Sequence, residues 1–136
     1  MPTLALLRTV AFSARHHYGR SDRSPEWNRE RFGDQRHPHG HDYRLEVKVE
    51  GTPDPETGFI VDLPRLDRLL DAVVSPLDDR DLNQAIPEIR EGAMQPSTES
   101  LALWFWNRLA PKIPDGARLR RVRVWESDTL AGEVEG

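Results

Sequence analysis

A chain of 136 residues has the size of one domain and can bury one hydrophobic core. With 19 Lys and Arg against 23 Asp and Glu, the net charge of −4 argues against a nucleic-acid partner. The absence of cysteine excludes disulfides, thiolate metal sites and cysteine bases or nucleophiles. No stretch is apolar for long enough to span a membrane, and the opening MPTLALLRTV lacks the pattern of a signal peptide, so the expected location is cytoplasmic. The hydrophobic fraction of 37% is low, which suits a chain that buries part of its apolar surface between subunits. Residues 15–44 hold all five histidines among several arginines, an ordinary solvated face or an attraction for an anionic substrate.

In chain order, residues 3–13 show a period of two through Leu4, Leu6, Val10 and Phe12, broken by Arg8, and read as a strand. Residues 19–38 are polar and read as a long loop. The clearest strand follows, with Tyr43, Leu45, Val47 and Val49 alternating with Asp42, Arg44, Glu46, Lys48 and Glu50. Asp62 is a candidate N-cap for a helix carrying Leu63, Leu66, Leu69, Leu70, Val73 and Val74 at helical spacing. Residues 76–95 look irregular. A second helix starts near Ser97 and aligns Leu101, Trp104, Phe105 and Leu109. Strands at 118–126 and 129–134 close the chain. The expectation is one α+β domain over residues 1–136, with two helices on one face of a four-stranded antiparallel sheet in the order ββααββ.

His39 and His41 stand two apart at the entrance to the best strand. Residues i and i+2 of a strand point the same way, and these share the parity of the apolar face. Two neutral imidazoles there suit a metal ion, and His16, at the end of the first strand, is the third candidate. Three histidines with an open fourth position form a catalytic zinc arrangement, although imidazole also accepts iron and other divalent ions. His17 and His37 read as loop residues beside these ligands. Glu126 shares parity with Val122 and Val124 and should face inward, where a carboxylate needs a donor. Thr98 and Glu99 fall at a helix N-terminus, which favours a carboxylate without any ligand.

Phe12-Ser13-Ala14-Arg15-His16 and His39-Gly40-His41-Asp42-Tyr43 resemble the 6-pyruvoyltetrahydropterin and 6-carboxytetrahydropterin synthase family. The likeness runs on in order through Asp54-Pro55-Glu56-Thr57-Gly58-Phe59-Ile60-Val61-Asp62, Pro76-Leu77-Asp78-Asp79-Arg80-Asp81-Leu82-Asn83, Pro96-Ser97-Thr98-Glu99 and Trp125-Glu126-Ser127-Asp128. This resemblance implies the tunnelling fold, in which subunits join sheets into a barrel, commonly a hexamer of two trimers. It implies Zn2+ on His16, His39 and His41, a reduced pterin substrate such as 7,8-dihydroneopterin triphosphate, and Glu126 as the anchor of the pterin ring, with Thr98 and Glu99 nearby.

The chain departs from the family at the base. The family's catalytic Cys falls nearest Gln35, which cannot take a proton at neutral pH. Asp78 matches the Asp of the family's Asp-His pair, while Asp79 stands where the His would be. Asp34 and His37 are the titratable groups near the missing Cys, and His37 suits general base work. The short insert before His39 and the Leu82-Asn83 pair resemble the 6-carboxytetrahydropterin synthase type, which releases acetaldehyde and triphosphate on the way to 7-deazaguanine (queuosine) bases. Triphosphate elimination of the 6-pyruvoyl type and a catalytically impaired zinc- and pterin-binding homologue are the alternatives.

Overall fold

The computed structural model describes residues 2–136. The alternation read in the first strand holds from Leu6 onward, whereas Leu4 lies before the strand and is exposed; β1 (Ala5–His16) carries it on to Phe12, Ala14 and His16, all buried. Antiparallel to it runs β2 (His39–Gly51), in register so that Phe12 faces Tyr43 and Val10 faces Leu45. Opposed residues lie on one face, and this face builds the core with Leu45, Val47 and Val49 fully buried.

Two helices cover that face. α2 (Leu63–Val74) buries Leu66, Leu70 and Val74. Asp62 occupies its N-cap position, but its side chain makes no capping bond, and only its carbonyl accepts from Leu66. α5 (Thr98–Leu109) buries Leu101, Trp104, Phe105 and Leu109, and here the cap is made: Ser97 accepts from the Ser100 N–H at 3.2 Å. Burial of each such side chain contributes about 1.5–3 kcal/mol, so the two stripes and the sheet face account for most of the driving force. Arg8, which interrupts the first apolar pattern, reaches Asp67 on α2 through two bonds of 2.8 and 2.9 Å.

The sheet has five strands rather than the expected four, in the order β3-β1-β2-β4-β5. The extra one, β3 (Arg80–Asp81), is two residues long and pairs parallel to Ala14 and Arg15. No periodicity can reveal two residues. β4 (Ala117–Ser127) and β5 (Leu130–Glu135) complete the antiparallel part.

Two further expectations change. The long loop at 19–38 contains α1 (Pro25–Phe32) and a 3-10 turn at Gly33–Arg36. α1 has no buried residue, so it lacks the apolar stripe by which a helix is recognised. It is defined by its ends instead, with Ser24 accepting from Trp27 N–H at 3.1 Å, Pro25 in the first turn and Gly33 at φ 54° as C-cap. The irregular stretch at 76–95 holds β3 and two one-turn helices, α3 (Leu82–Ala85) and α4 (Pro87–Arg90). The order ββααββ thus becomes βαβαβαααββ, with the short helices α1, α3 and α4 and the strand β3 added between the expected elements, on the same α+β plan.

Candidate metal centre

The register that builds the core also builds the site. His16 stands opposite His39, and Ala14 opposite His41, so the three imidazoles rise from the buried face at one end of the sheet. Ring centroids are 4.6 Å apart for His16 and His39, 4.9 Å for His16 and His41, and 5.1 Å for His39 and His41. One ring nitrogen from each lies within 4.8 Å of the others.

The opposite nitrogens fix which lone pair is free. His16 Nδ1 lies 3.0 Å from the Pro96 carbonyl and 3.1 Å from the Tyr43 hydroxyl, and His39 Nδ1 lies 2.7 Å from the His37 carbonyl. A carbonyl only accepts, so each Nδ1 carries the proton and each Nε2 presents a lone pair. Nε2 of His16 and of His41 are buried without a hydrogen-bond partner. Beside them stands Glu126, its Oε1 3.3 Å from one and 3.4 Å from the other. Lone pairs and a carboxylate oxygen facing one another call for a positive charge. A second proton on His16 would supply it, but burial, with the neighbouring histidines, pushes its pKa down to about 4. Burial likewise lowers His41, against the pull of Glu126. A divalent cation fits this donor set.

Glu126 gets there through a β-bulge. Trp125 pairs with Ala131 and Ser127 with Leu130, which leaves Glu126 as the unpaired extra residue of β4, aimed inward. A cavity of about 320 Å3 opens over the cluster, lined by Tyr18, Gln35, His37, His39, His41 and Glu126. Asp34 lines it as well.

The other expected residues are placed as follows. His37 caps the 3-10 turn, exposed; it is among the residues lining this cavity, and its carbonyl holds His39. Thr98 and Glu99 open α5; the Thr98 hydroxyl donates to Glu99 Oε1 at 2.6 Å and, with the backbone, lowers that carboxyl's pKa. Asp78 stands outside the cavity lining, accepting from the Ser13 N–H at 2.9 Å. Asp79 has φ 64° and donates its N–H to the Ser13 carbonyl at 2.6 Å, so the pair closes the edge of β1 just before His16. Tyr18 is the residue that sequence reasoning missed. Its ring lies 5.1 Å from His16 and stacks on Phe32, and its hydroxyl donates to the Pro96 carbonyl at 3.4 Å. Burial first, then Glu126 and Glu99, pushes its pKa up to about 12, so it remains a donor. The signal was present, since Tyr18 continues the parity of Phe12, Ala14 and His16.

Fold and site together define an α+β protein with a pocket of three converging histidines and an acid, competent for a metal ion. The profile of the family described as 6-pyruvoyl tetrahydropterin synthase matches residues 5–136, and the chain belongs to that family. It is 34% identical over 124 residues to human 6-pyruvoyl tetrahydrobiopterin synthase, covering 89% of this chain and 83% of that one. It is 35% identical over 97 residues to a dihydroneopterin monophosphate aldolase of Pyrococcus furiosus, covering 71% and 77%. The structure of Caenorhabditis elegans 6-pyruvoyl tetrahydropterin synthase superposes with a TM-score of 0.89 at 26% identity, over 100% of this chain and 97% of that one.

Proposed function

We propose that this chain is a zinc-dependent pterin lyase acting on 7,8-dihydroneopterin triphosphate, of the 6-carboxytetrahydropterin synthase type. The observation that carries this reading is the set of ring nitrogens of His16, His39 and His41 within 4.8 Å of one another, with Glu126 beside those of His16 and His41. Zinc held by these three would polarise a hydroxyl or carbonyl of the substrate side chain. Glu126 accepts hydrogen bonds from the pterin's amino and ring N–H groups, and Thr98 and Glu99 frame the ring from the start of α5. His37 is the base that takes a proton from the side chain of the substrate, since it lines the cavity and Gln35 beside it cannot. Asp78 supports the proton transfer from outside that lining, through the end of β1 that it holds. Tyr18, kept protonated, would have to turn its hydroxyl from the Pro96 carbonyl, 3.4 Å away, to donate to a developing oxyanion.

A second reading is favoured by a single fact, the lack of any cysteine in a family whose usual base it is. In that reading the chain either eliminates triphosphate only, as a 6-pyruvoyl-type enzyme does, or binds zinc and pterin without turnover. The similarity to an aldolase of dihydroneopterin monophosphate adds carbon-carbon cleavage as a chemistry within reach of this pocket. The test is incubation of zinc-loaded protein with 7,8-dihydroneopterin triphosphate, with products followed by mass and pterin fluorescence. A 6-carboxytetrahydropterin with released acetaldehyde and triphosphate is the expected result, and His37→Asn should lower its rate by about a hundredfold or more. Binding without product would overturn the enzymatic reading.

A further inference from the structure

β1 ends at His16, yet the chain runs on past it with three side-chain amides in place of a neighbouring strand. Asn83 accepts from the His17 N–H at 3.0 Å and donates to the His17 carbonyl at 3.0 Å. Gln95 does the same for Gly19, at 3.3 and 2.8 Å, and Asn28 for Arg20, at 2.7 and 3.0 Å. The Tyr18 N–H donates to the Gln35 carbonyl at 2.9 Å. Each two-point pair mimics a rung of a β-ladder, so this segment is held in one conformation although it lies outside the sheet.

The segment forms a wall of a second cavity, of about 610 Å3, on the other side of Tyr18 from the histidines. With its backbone groups taken up by the amides, the groups left to face a ligand are cationic. Arg36 uses only Nε, on the Gly33 carbonyl at 2.7 Å, and Arg90 only Nη1, on the Gln84 carbonyl at 3.0 Å. Among the described residues neither guanidinium is ion-paired. His17 Nδ1 is buried without a partner on the same side. Arg20 is already answered by Asp22, at 2.9 and 2.6 Å, and Glu91 is the other acid of the lining, which leaves a net positive charge. Two guanidinium forks with free N–H groups across a polar cleft match the oxygens of a phosphate chain.

We propose that this second pocket binds the phosphate groups of a phosphorylated small molecule whose other end passes Tyr18 to reach the histidine cavity. The phosphate chemistry stands on Arg36 and Arg90; that the carrier is a pterin rests on the function proposed above. Calorimetric titration of the zinc-loaded protein with inorganic tripolyphosphate, 7,8-dihydroneopterin, and the mono- and triphosphate of 7,8-dihydroneopterin tests it. The phosphate esters should bind more tightly than either the unphosphorylated pterin or tripolyphosphate alone. The double substitution R36Q/R90Q should weaken every phosphate ligand by about tenfold per arginine, the value of one charge-assisted hydrogen bond. It should leave zinc content and the affinity for 7,8-dihydroneopterin as they were, which shows that the fold is intact. R65Q/R68Q removes the same charge from the exposed side of α2 and should change nothing.

Equal weakening by the two double substitutions would reduce the effect to general attraction and overturn the site, as would unchanged phosphate affinity in R36Q/R90Q. Tripolyphosphate binding as tightly as the triphosphate ester would overturn the link to the histidine cavity. If 7,8-dihydroneopterin fails to bind while R36Q/R90Q still abolishes the affinity for the esters, the pterin reading falls and the phosphate pocket stands.

Discussion

A neutral imidazole whose Nδ1 is tied to a carbonyl has one nitrogen left to offer, and His16 and His39 are both in that state. The carbonyls of Pro96 and His37 would therefore act on a bound metal without touching it, by choosing the tautomer and aiming the ring. Substituting both His39 and His41 with alanine should take the zinc content from one per chain to none in metal analysis, and a metal-free wild type would refute the site. Glu126→Gln tests a different role. The amide is close in shape but lacks the charge, so zinc should stay bound while KM for the pterin rises by about tenfold or more, the loss of a charge-assisted bond. A metal content that fell along with the affinity would make Glu126 a ligand rather than a pterin anchor.

At the scale of elements, the site depends on small departures from regular structure. The bulge in β4 frees Glu126 from pairing, and the Asp78-Asp79 corner seals β1 three residues before His16. The start of α5 is set by a close approach of β5. A Cβ on Gly132 would lie 2.5 Å from Glu99 N and 2.6 Å from Thr98 C, both backbone atoms that cannot swing aside. Gly132→Ala should therefore cost about 1–3 kcal/mol in thermal or denaturant unfolding and displace Thr98 and Glu99. An unchanged midpoint would mean that α5 is free to move on the sheet.

On the scale of the whole molecule, pH tests the burial of the cluster. The folded pKa of His16, about 4, lies below its ordinary 6.5, so the unfolded chain takes up the proton first as pH falls. Stability of the metal-free protein is then complete above about pH 6.5 and declines toward about pH 4, by about 3 kcal/mol at most. Denaturant titrations across that range should show the decline, and bound zinc should add to stability while falling away in acid, because its ligands must be unprotonated. Among the described residues the other face of the sheet carries no helix; it bears ion pairs such as Arg121–Glu46 at 2.9 Å and Arg123–Glu133 at 2.6 Å. With Leu4, Leu7 and Leu130 each at least half exposed near the outer strands, self-association is expected, and light scattering should give six times the mass of the chain if the assembly is the proposed hexamer. A monomeric mass would overturn that expectation.

The sequence by itself determined the parts that repeat along the chain. Alternation in β1 and β2 predicted their buried face, and the spacing of leucines in α2 and of aromatics in α5 predicted what covers it. Because His39 and His41 fall in phase with Tyr43, and His16 in phase with Phe12, the three histidines of the candidate metal centre were legible from the same pattern. The tertiary structure decided what has no period. α1 is held by caps rather than by an apolar stripe, β3 is too short to show alternation, and Asp78 is drawn to a backbone N–H 65 residues away. The amides of Asn83 and Gln95 meet the segment after His16 across 66 and 76 residues. Such contacts are made between side chains and backbone that meet only once the core has closed, so the wall that separates the histidine cavity from the arginine pocket exists only in the folded chain.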